Sequence, residues 1–349
     1  MSQVVDISTD SGYARPRDPV ELWLARCWQE VLGFGVGIRE NFFGIGGNSL
    51  DAARVVNAVL DELHVQLPLN VVTENPTVAR LAARLRDQDT SALATPLQEI
   101  QSGDGTRPPL FMVHPDDGQA GSYCHLARAM GEEFAVFGLQ AVGLYSDAEP
   151  IRTVAAMARA YVEEIRTVDP EGPYLLGGCS TGAAIAFEMA GQLVGAGAEV
   201  RLLAAVDAEL VEPRAGGQRP RDRDDVPGLL FDMLVADDVT ESWFRELPRP
   251  RQLAAVLADW QAHDLVAPDE TTQFVARSLR VRQANREAIH AWRPRPYPGP
   301  LDIFRDAADA RPPTVSWPAS VVQRVHECAA ATDATHTRQL ARGLQDLFG

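Results

Sequence analysis

Between residues 174 and 190 the chain reads YLLGGCSTGAAIAFEMA: an uncharged apolar run, then Gly178-Cys179-Ser180-Thr181-Gly182, then an alanine-rich stretch. Few local patterns restrict a fold this much. The apolar run has the length and boundaries of a buried strand, and the residues after the glycines have the composition of a helix. A G-x-S-x-G placed between strand and helix is a nucleophile elbow, a turn so sharp that side chains would collide at the glycine positions, with the serine hydroxyl presented on it. Moving the frame by one residue, to make Cys179 the nucleophile, puts Thr181 where the closing glycine belongs. Ser180 is therefore the better nucleophile and Cys179 a passive neighbour.

A strand in this setting needs partners. Further apolar runs lie at 110–113, 136–139, 200–206 and 301–304, with helix-like segments at 123–130, 154–167 and 183–194. That alternation implies a largely parallel sheet covered on both faces. From Pro19 to Arg86 the spacing is helical instead. Val20, Leu22, Trp23, Leu24, Cys27, Val31 and Leu32 form one amphipathic face, ended by Gly33. Ala52, Val55, Val56, Val59, Leu60 and Leu63 form a second, and Val78, Leu81, Ala82 and Leu85 a third, with Asn75-Pro76 read as its start. The stretch between the two regions is polar and contains Gly and Pro, which reads as a linker. We expect a leader at 1–14, a small all-α four-helix domain at 15–88, a linker at 89–107 and a second domain at 108–349.

At 349 residues the chain has room for two domains. A net charge of −16 argues against a nucleic-acid partner, because phosphates would be repelled. The fixed side-chain cations are all arginine; the absence of lysine excludes Schiff-base chemistry from a lysine amine. No apolar run approaches the roughly 20 residues that span a bilayer, and the first residues lack a signal-peptide pattern. A cytoplasmic location without a membrane partner is expected. Cys27, Cys124, Cys179 and Cys328 form no CxxC pair, so reduced thiols and no metal site are expected.

Residues 42–50 read Phe-Phe-Gly-Ile-Gly-Gly-Asn-Ser-Leu. The glycines permit a tight turn and leave Ser49 at a helix start, beside N-terminal amides that favour a phosphate. In isolation such a serine reads as an N-cap. Together with Phe42-Phe43, Pro68-Leu69 and Asn75-Pro76-Thr77-Val78, the motif resembles the peptidyl carrier domains of nonribosomal peptide synthetases. The resemblance implies that Ser49 carries 4′-phosphopantetheine, added by a separate phosphopantetheinyl transferase. Asn48 stands where this family usually has His or Asp.

In an elbow fold the acid follows the serine and the histidine comes last. Asp207 ends the 200–206 strand at the sheet's carboxyl edge, where such sites lie. Of the seven histidines, His336 is placed in a loop ahead of a C-terminal helix at 337–347 and is the expected base. His326, in a strand-like run, is expected to pack; His64, His125, His263 and His290, on helical segments, to be structural; and His114 to shape its loop.

The residues Phe111-Met112-Val113-His114-Pro115, the G-C-S-T-G with Phe187-Glu188, and the late histidine resemble the type I thioesterase domains of the same synthetases. That resemblance implies an α/β-hydrolase fold and a helical lid over about 208–296, where 229–234, 252–261 and 272–292 look helical and 215–225 mobile. It also implies an oxyanion hole formed by the Thr181 and Asp116 amides. The family commonly has small residues at Asp116-Asp117. A carboxylate facing the hole would oppose the oxyanion, whose donors are worth about 3 kcal/mol each, so these side chains are expected to point away or to serve the product. The implied function is release of a peptidyl thioester, by hydrolysis or macrocyclisation, in antibiotic or siderophore biosynthesis, with upstream condensation and adenylation domains as partners. A free-standing serine esterase, a polyketide-type carrier–thioesterase and an inactive recruitment module are the competing readings.

Overall fold

A computed structural model describes residues 13–68, 70–88, 90–206, 225–306, 317, 321–328 and 334–348, without the side chains of 91, 306 and 334–336. Of the leader expected at 1–14, Tyr13 and Ala14 are described. Asp207, and the stretch expected to be mobile apart from Asp225, lie outside these residues.

The first region is the expected four-helix unit. In α1 (Pro19–Leu32) the Asp18 carboxylate caps the amides of Val20 and Glu21, proline opens the first turn, and Gly33 at φ 85° closes the helix. Then come α2 (Ser49–Leu63), α3 (Val71–Glu74) and α4 (Val78–Arg86). Trp28, Phe42, Val55, Val59, Leu81 and Leu85 are fully buried between them. The start of α4 differs from expectation: Thr77 is its cap, accepting from the Arg80 amide, while Asn75 ends α3 and its Nδ2 donates to the Val71 carbonyl. Pro76 forces the residue before it out of helical geometry, and its carbonyl is taken by the Phe42 amide at 2.8 Å. His64 and His263 sit just past helices, at their C-caps, rather than within them.

The expected linker is not all linker. It contains β1 (Leu97–Gln101), which pairs antiparallel with the strand at 136–139. The segment LQEIQ hides its strand character because polar residues occupy inward positions. Gln98 donates to the Leu93 and Thr95 carbonyls, and Gln101 to those of Gly131 and Phe134. With β2 (Leu110–Val113), β3 (Val136–Leu139), β4 (Tyr174–Cys179), β5 (Val200–Val206), β6 (Pro300–Asp306) and β7 (Val322–Cys328), the described strands form one sheet in the order β1-β3-β2-β4-β5-β6-β7. All neighbours after the β1–β3 pair are parallel.

Helices α5 (Cys124–Met130), α6 (Val154–Val168) and α7 (Thr181–Gly195) connect the first strands. After β5, α8 (Val226–Phe231), α9 (Glu241–Glu246), α10 (Arg249–Ala262) and α11 (Thr272–Ala291) form an insertion with its own core of Phe244, Val256, Trp260 and Val275, seated against Ala141 and Leu144. The last helix, α12 (Ala334–Phe348), begins earlier than expected, so the backbone of His336 lies in its first turn and not in a preceding loop. Thr337, inside the expected helix, is buried ahead of Leu340, Ala341 and Leu344. One core lies between α6, α7 and the sheet, around Phe111, Tyr161 and Phe187; the other lies under α5 and α12, around Leu126, Met130 and Leu344.

The helical unit docks on the second domain. Leu22 of α1 joins Ile100, Leu126 and Met130 in the α5–α12 core. Arg17 and Arg86 both pair with the fully buried Glu21 and continue across the boundary, Arg17 to Asp264 at 2.8 Å and Arg86 to Asp269 at 2.9 Å. Arg26 reaches Glu99 of β1 at 2.6 Å. Among the described residues, no helix is long and apolar enough to cross a membrane.

Candidate active site

Strand register fixes where the chemistry lies. Val113 pairs with Gly178, and Cys179 with Val206, so β2, β4 and β5 end together at the carboxyl edge of the sheet. Cys179 still belongs to β4, and Ser180 makes the turn at φ 53° and ψ −120°, in the left-handed region that a serine occupies only when its surroundings impose it. Its amide donates to the Val206 carbonyl at 3.2 Å, and its carbonyl accepts from the Ala183 amide at 3.1 Å. Both flanking glycines are required. A Cβ on Gly178 would stand 2.3 Å from the Gly182 carbonyl carbon, and one on Gly182 would stand 2.3 Å from the Val113 oxygen. Tyr123 ties the two strands beneath the turn: its hydroxyl donates to the Val113 carbonyl and accepts from the Cys179 amide at 3.1 Å.

Thr181 opens α7, so its amide is among the first-turn N–H groups that have no partner within the helix. Opposite runs the loop after β2. His114 is fully buried, with Nδ1 2.8 Å from the Pro115 carbonyl and Nε2 2.9 Å from the Tyr161 hydroxyl. A carbonyl can only accept, so the proton is on Nδ1 and Tyr161 donates to Nε2. Burial pushes the ring's pKa below its ordinary 6.5, which keeps it neutral. The Pro115 carbonyl and the Asp116 N–H are two ends of one peptide, so His114 shapes the loop, as expected of it, by holding the unit that would donate to an oxyanion.

The two acidic residues are both engaged. Asp117 accepts from the Gln119 amide at 2.9 Å within the loop. The Asp116 carboxylate spans Thr181 Oγ1 at 3.4 Å and Arg282 Nη1 at 3.3 Å, and its carbonyl accepts from Asn285 Nδ2 at 3.0 Å. Tyr123, Tyr161, Arg282 and Asn285 escaped the sequence reading. The signal available was the spacing 282, 285, 286, one helix face carrying an amide and two cations, set against Asp116, whose side-chain partners are distant in sequence.

Three of the other histidines make local contacts. His326 stacks on Phe304 with ring centroids 4.6 Å apart and meets the buried Asp302 at 2.9 Å. His125 packs edge-on against Tyr13, and His263 Nδ1 contacts the Asp259 carbonyl at the end of α10. His290 lies in the last turn of α11. Asp207 directly follows β5 but lies outside the described residues, as does the side chain of His336.

On the helical domain, Asn48 is the N-cap of α2. Its Oδ1 accepts from the Leu50 and Asp51 amides, and the Asp51 carboxylate accepts from the Asn48 amide in return. Ser49, one residue on, is thereby relieved of capping and exposed. Asn48 also occupies the amides expected to favour a phosphate, leaving the helix dipole as the attraction. Gly46 at φ 112°, and Gly47, whose Cβ would fall 2.5 Å from the Phe42 ring, make the tight turn before it. An exposed hydroxyl at the head of a helix fits covalent attachment of a phosphate-linked arm.

Fold and site together define a parallel-sheet protein with a serine elbow, joined to a helical domain that displays a second serine. Residues 108–311 match the thioesterase domain family, and residues 22–85 match the phosphopantetheine attachment site family. The chain thus belongs to the thioesterase domain family, here with a carrier domain ahead of it, and that carrier domain implies a covalently attached 4′-phosphopantetheine. It is 42% identical over 292 residues to a dimodular nonribosomal peptide synthase of Bacillus subtilis (strain 168), covering 83% of this chain and 12% of that protein. It is 31% identical over 303 residues to malpinin synthetase of Mortierella alpina, covering 84% of this chain and 4% of that one. The chain therefore spans a small part of the length of the relatives it matches. A four-domain nonribosomal peptide synthetase crystallised in its holo form with AMP and glycine superposes with a TM-score of 0.83 at 23% identity, over 96% of this chain and 26% of the other. The NocB thioesterase domain bound to a fluorophosphonate nocardicin G analogue gives 0.53 at 24%, over 72% of this chain and 99% of that domain. These two likenesses concern the fold, an α/β-hydrolase following a helical carrier.

Proposed function

We propose that this chain releases the finished product of a nonribosomal peptide synthetase, with the carrier at 15–88 presenting the substrate and the second domain cleaving it. The observation that carries the proposal is the elbow: Ser180 stands on a strained turn at the carboxyl edge of the sheet, facing the loop of Asp116. Ser49 is the attachment point of phosphopantetheine, whose thiol holds the acyl chain as a thioester. Ser180 Oγ attacks the thioester carbonyl while His336 takes its proton, with Asp207 holding the imidazole in the correct tautomer. The Thr181 and Asp116 amides receive the oxyanion. As the C–S bond breaks, His336 returns the proton to the leaving thiol and the acyl group remains as an ester on Ser180. Water, or a nucleophile within the peptide, gives up its proton to His336 and attacks that ester; as the bond to Ser180 Oγ breaks, His336 returns the proton to the serine oxygen and the product leaves by hydrolysis or ring closure. Helices α8–α11 act as the lid that governs how much water reaches the ester. A phosphopantetheinyl transferase and upstream condensation and adenylation domains are the partners in this scheme, in the cytoplasm. The peptide synthetases among its relatives support the peptide line over a polyketide one.

The test loads the full chain with a peptidyl-pantetheine by means of a transferase and follows intact mass. Wild type should load and release, Ser180→Ala should load and retain the acyl group, and Ser49→Ala should not load. Release by Ser180→Ala at the wild-type rate would reject the nucleophile.

A further inference from the structure

Residue 116, whose amide is the proposed oxyanion donor, is held from two sides. On the sheet side, His114 holds the Pro115 carbonyl. On the other side the grip comes from the insertion. Asn285 of α11, 1% exposed, donates to the Asp116 carbonyl at 3.0 Å, and Arg282, one turn earlier, donates to the carboxylate at 3.3 Å. Arg286 lies 3.9 Å from the same carboxylate oxygen and 3.7 Å from Asp232, just past α8. Thr181, whose amide is the other proposed donor, has its hydroxyl 3.4 Å from Asp116 Oδ1. One aspartate thus touches the elbow with one oxygen and the insertion with the other.

We propose that Arg282 and Asn285 are positioning residues that set the oxyanion hole through Asp116. The inference rests on the reading of Ser180 as nucleophile and of the Thr181 and Asp116 amides as oxyanion donors. With α11 seated, residue 116 is fixed at its side chain and at its carbonyl, so its N–H cannot rotate away from the reacting carbon. Arg282, with a side chain 11% exposed, also neutralises the carboxylate in a setting that water screens poorly. With α11 displaced, both anchors go and an uncompensated negative charge remains beside Thr181, where negative charge must develop in the reaction. The same aspartate therefore supports catalysis only while Arg282 and Asn285 hold it.

The proposal is tested on the full chain with a short acyl thioester of N-acetylcysteamine. Arg282→Gln and Asn285→Leu should each lower kcat about 10- to 100-fold, part of the effect of losing an oxyanion donor, with KM within about two-fold. Arg282→Lys should recover part of the loss and guards against a Gln variant that fails to fold. In an Asp116→Ala background Arg282→Gln should change kcat by less than about two-fold, because the arginine acts through the carboxylate, whereas Asn285→Leu should keep its effect, because it acts on the carbonyl. Ser180→Ala separates the two readings: if it is as active as wild type, the nucleophile assignment has failed. If it is inactive while Arg282→Gln and Asn285→Leu retain wild-type kcat, the positioning proposal alone is overturned. An Arg282→Gln loss of equal size with and without Asp116 overturns it as well.

Discussion

The His114 ring is neutral because burial outweighs the loop groups that favour its charged form. Its pKa is lower in the folded chain than in the unfolded one, so its contribution to stability is complete above about pH 6.5. That contribution is lost as pH falls and the unfolded state gains a proton that the native state refuses. Urea unfolding from pH 8 to pH 5 should therefore show stability falling below pH 6.5, and His114→Asn, which keeps a δ-position donor, should flatten that part of the curve. Legibility at this scale followed chain distance. Gly178, Ser180 and Gly182 announce the elbow because the clash they relieve is local. Tyr161, 47 residues from His114, and Asn285, 169 residues from Asp116, do their work through bonds that only the folded chain creates.

Among the elements, α2 shows how one residue's role depends on its neighbour. Asn48 takes the capping duty and Ser49 is left to face solvent. Asn48→Ala should cost about 1 kcal/mol of carrier stability, read as a lower melting transition for the carrier in calorimetry of the full chain. The expected strands and most helices were found where apolar periodicity ran unbroken, as in β5 and α6. Periodicity failed where polar side chains faced inward. Gln98 and Gln101 are buried and satisfied by backbone carbonyls, so β1 reads as linker. At the C-terminus, α12 takes in residues 334–336 ahead of the expected start at 337, so His336 belongs to a helix and not to a loop.

At the scale of the molecule, carrier and thioesterase meet through ion pairs as well as through the Leu22 contact. Arg17 holds Glu21 of its own domain, Arg86 holds Asp18 and Glu21, and each reaches one carboxylate of the α10–α11 connection. Replacing both Asp264 and Asp269 by Ala leaves the arginines paired with Asp18 and Glu21, so the carrier should stay folded while its dock weakens. Small-angle scattering of the double variant should show a larger radius of gyration than wild type, and wild type should approach it as salt is raised and the exposed partners are screened. An unchanged radius would mean that the remaining contacts, among them Leu22 and the Arg26–Glu99 pair, suffice to hold the two together.

The short strand that the sequence disguised as a tether has a practical consequence for dividing the protein. The family match opens at residue 108, but β1 ends at Gln101 and is the outer neighbour of β3. Severing the chain at 108 would strip that neighbour away and bare a flank of wholly buried residues with unpaired amides and carbonyls, a template for self-association. A cut ahead of Leu97 keeps the flank sheathed, and the seam between the two working parts therefore lies nearer the carrier than the motifs suggest.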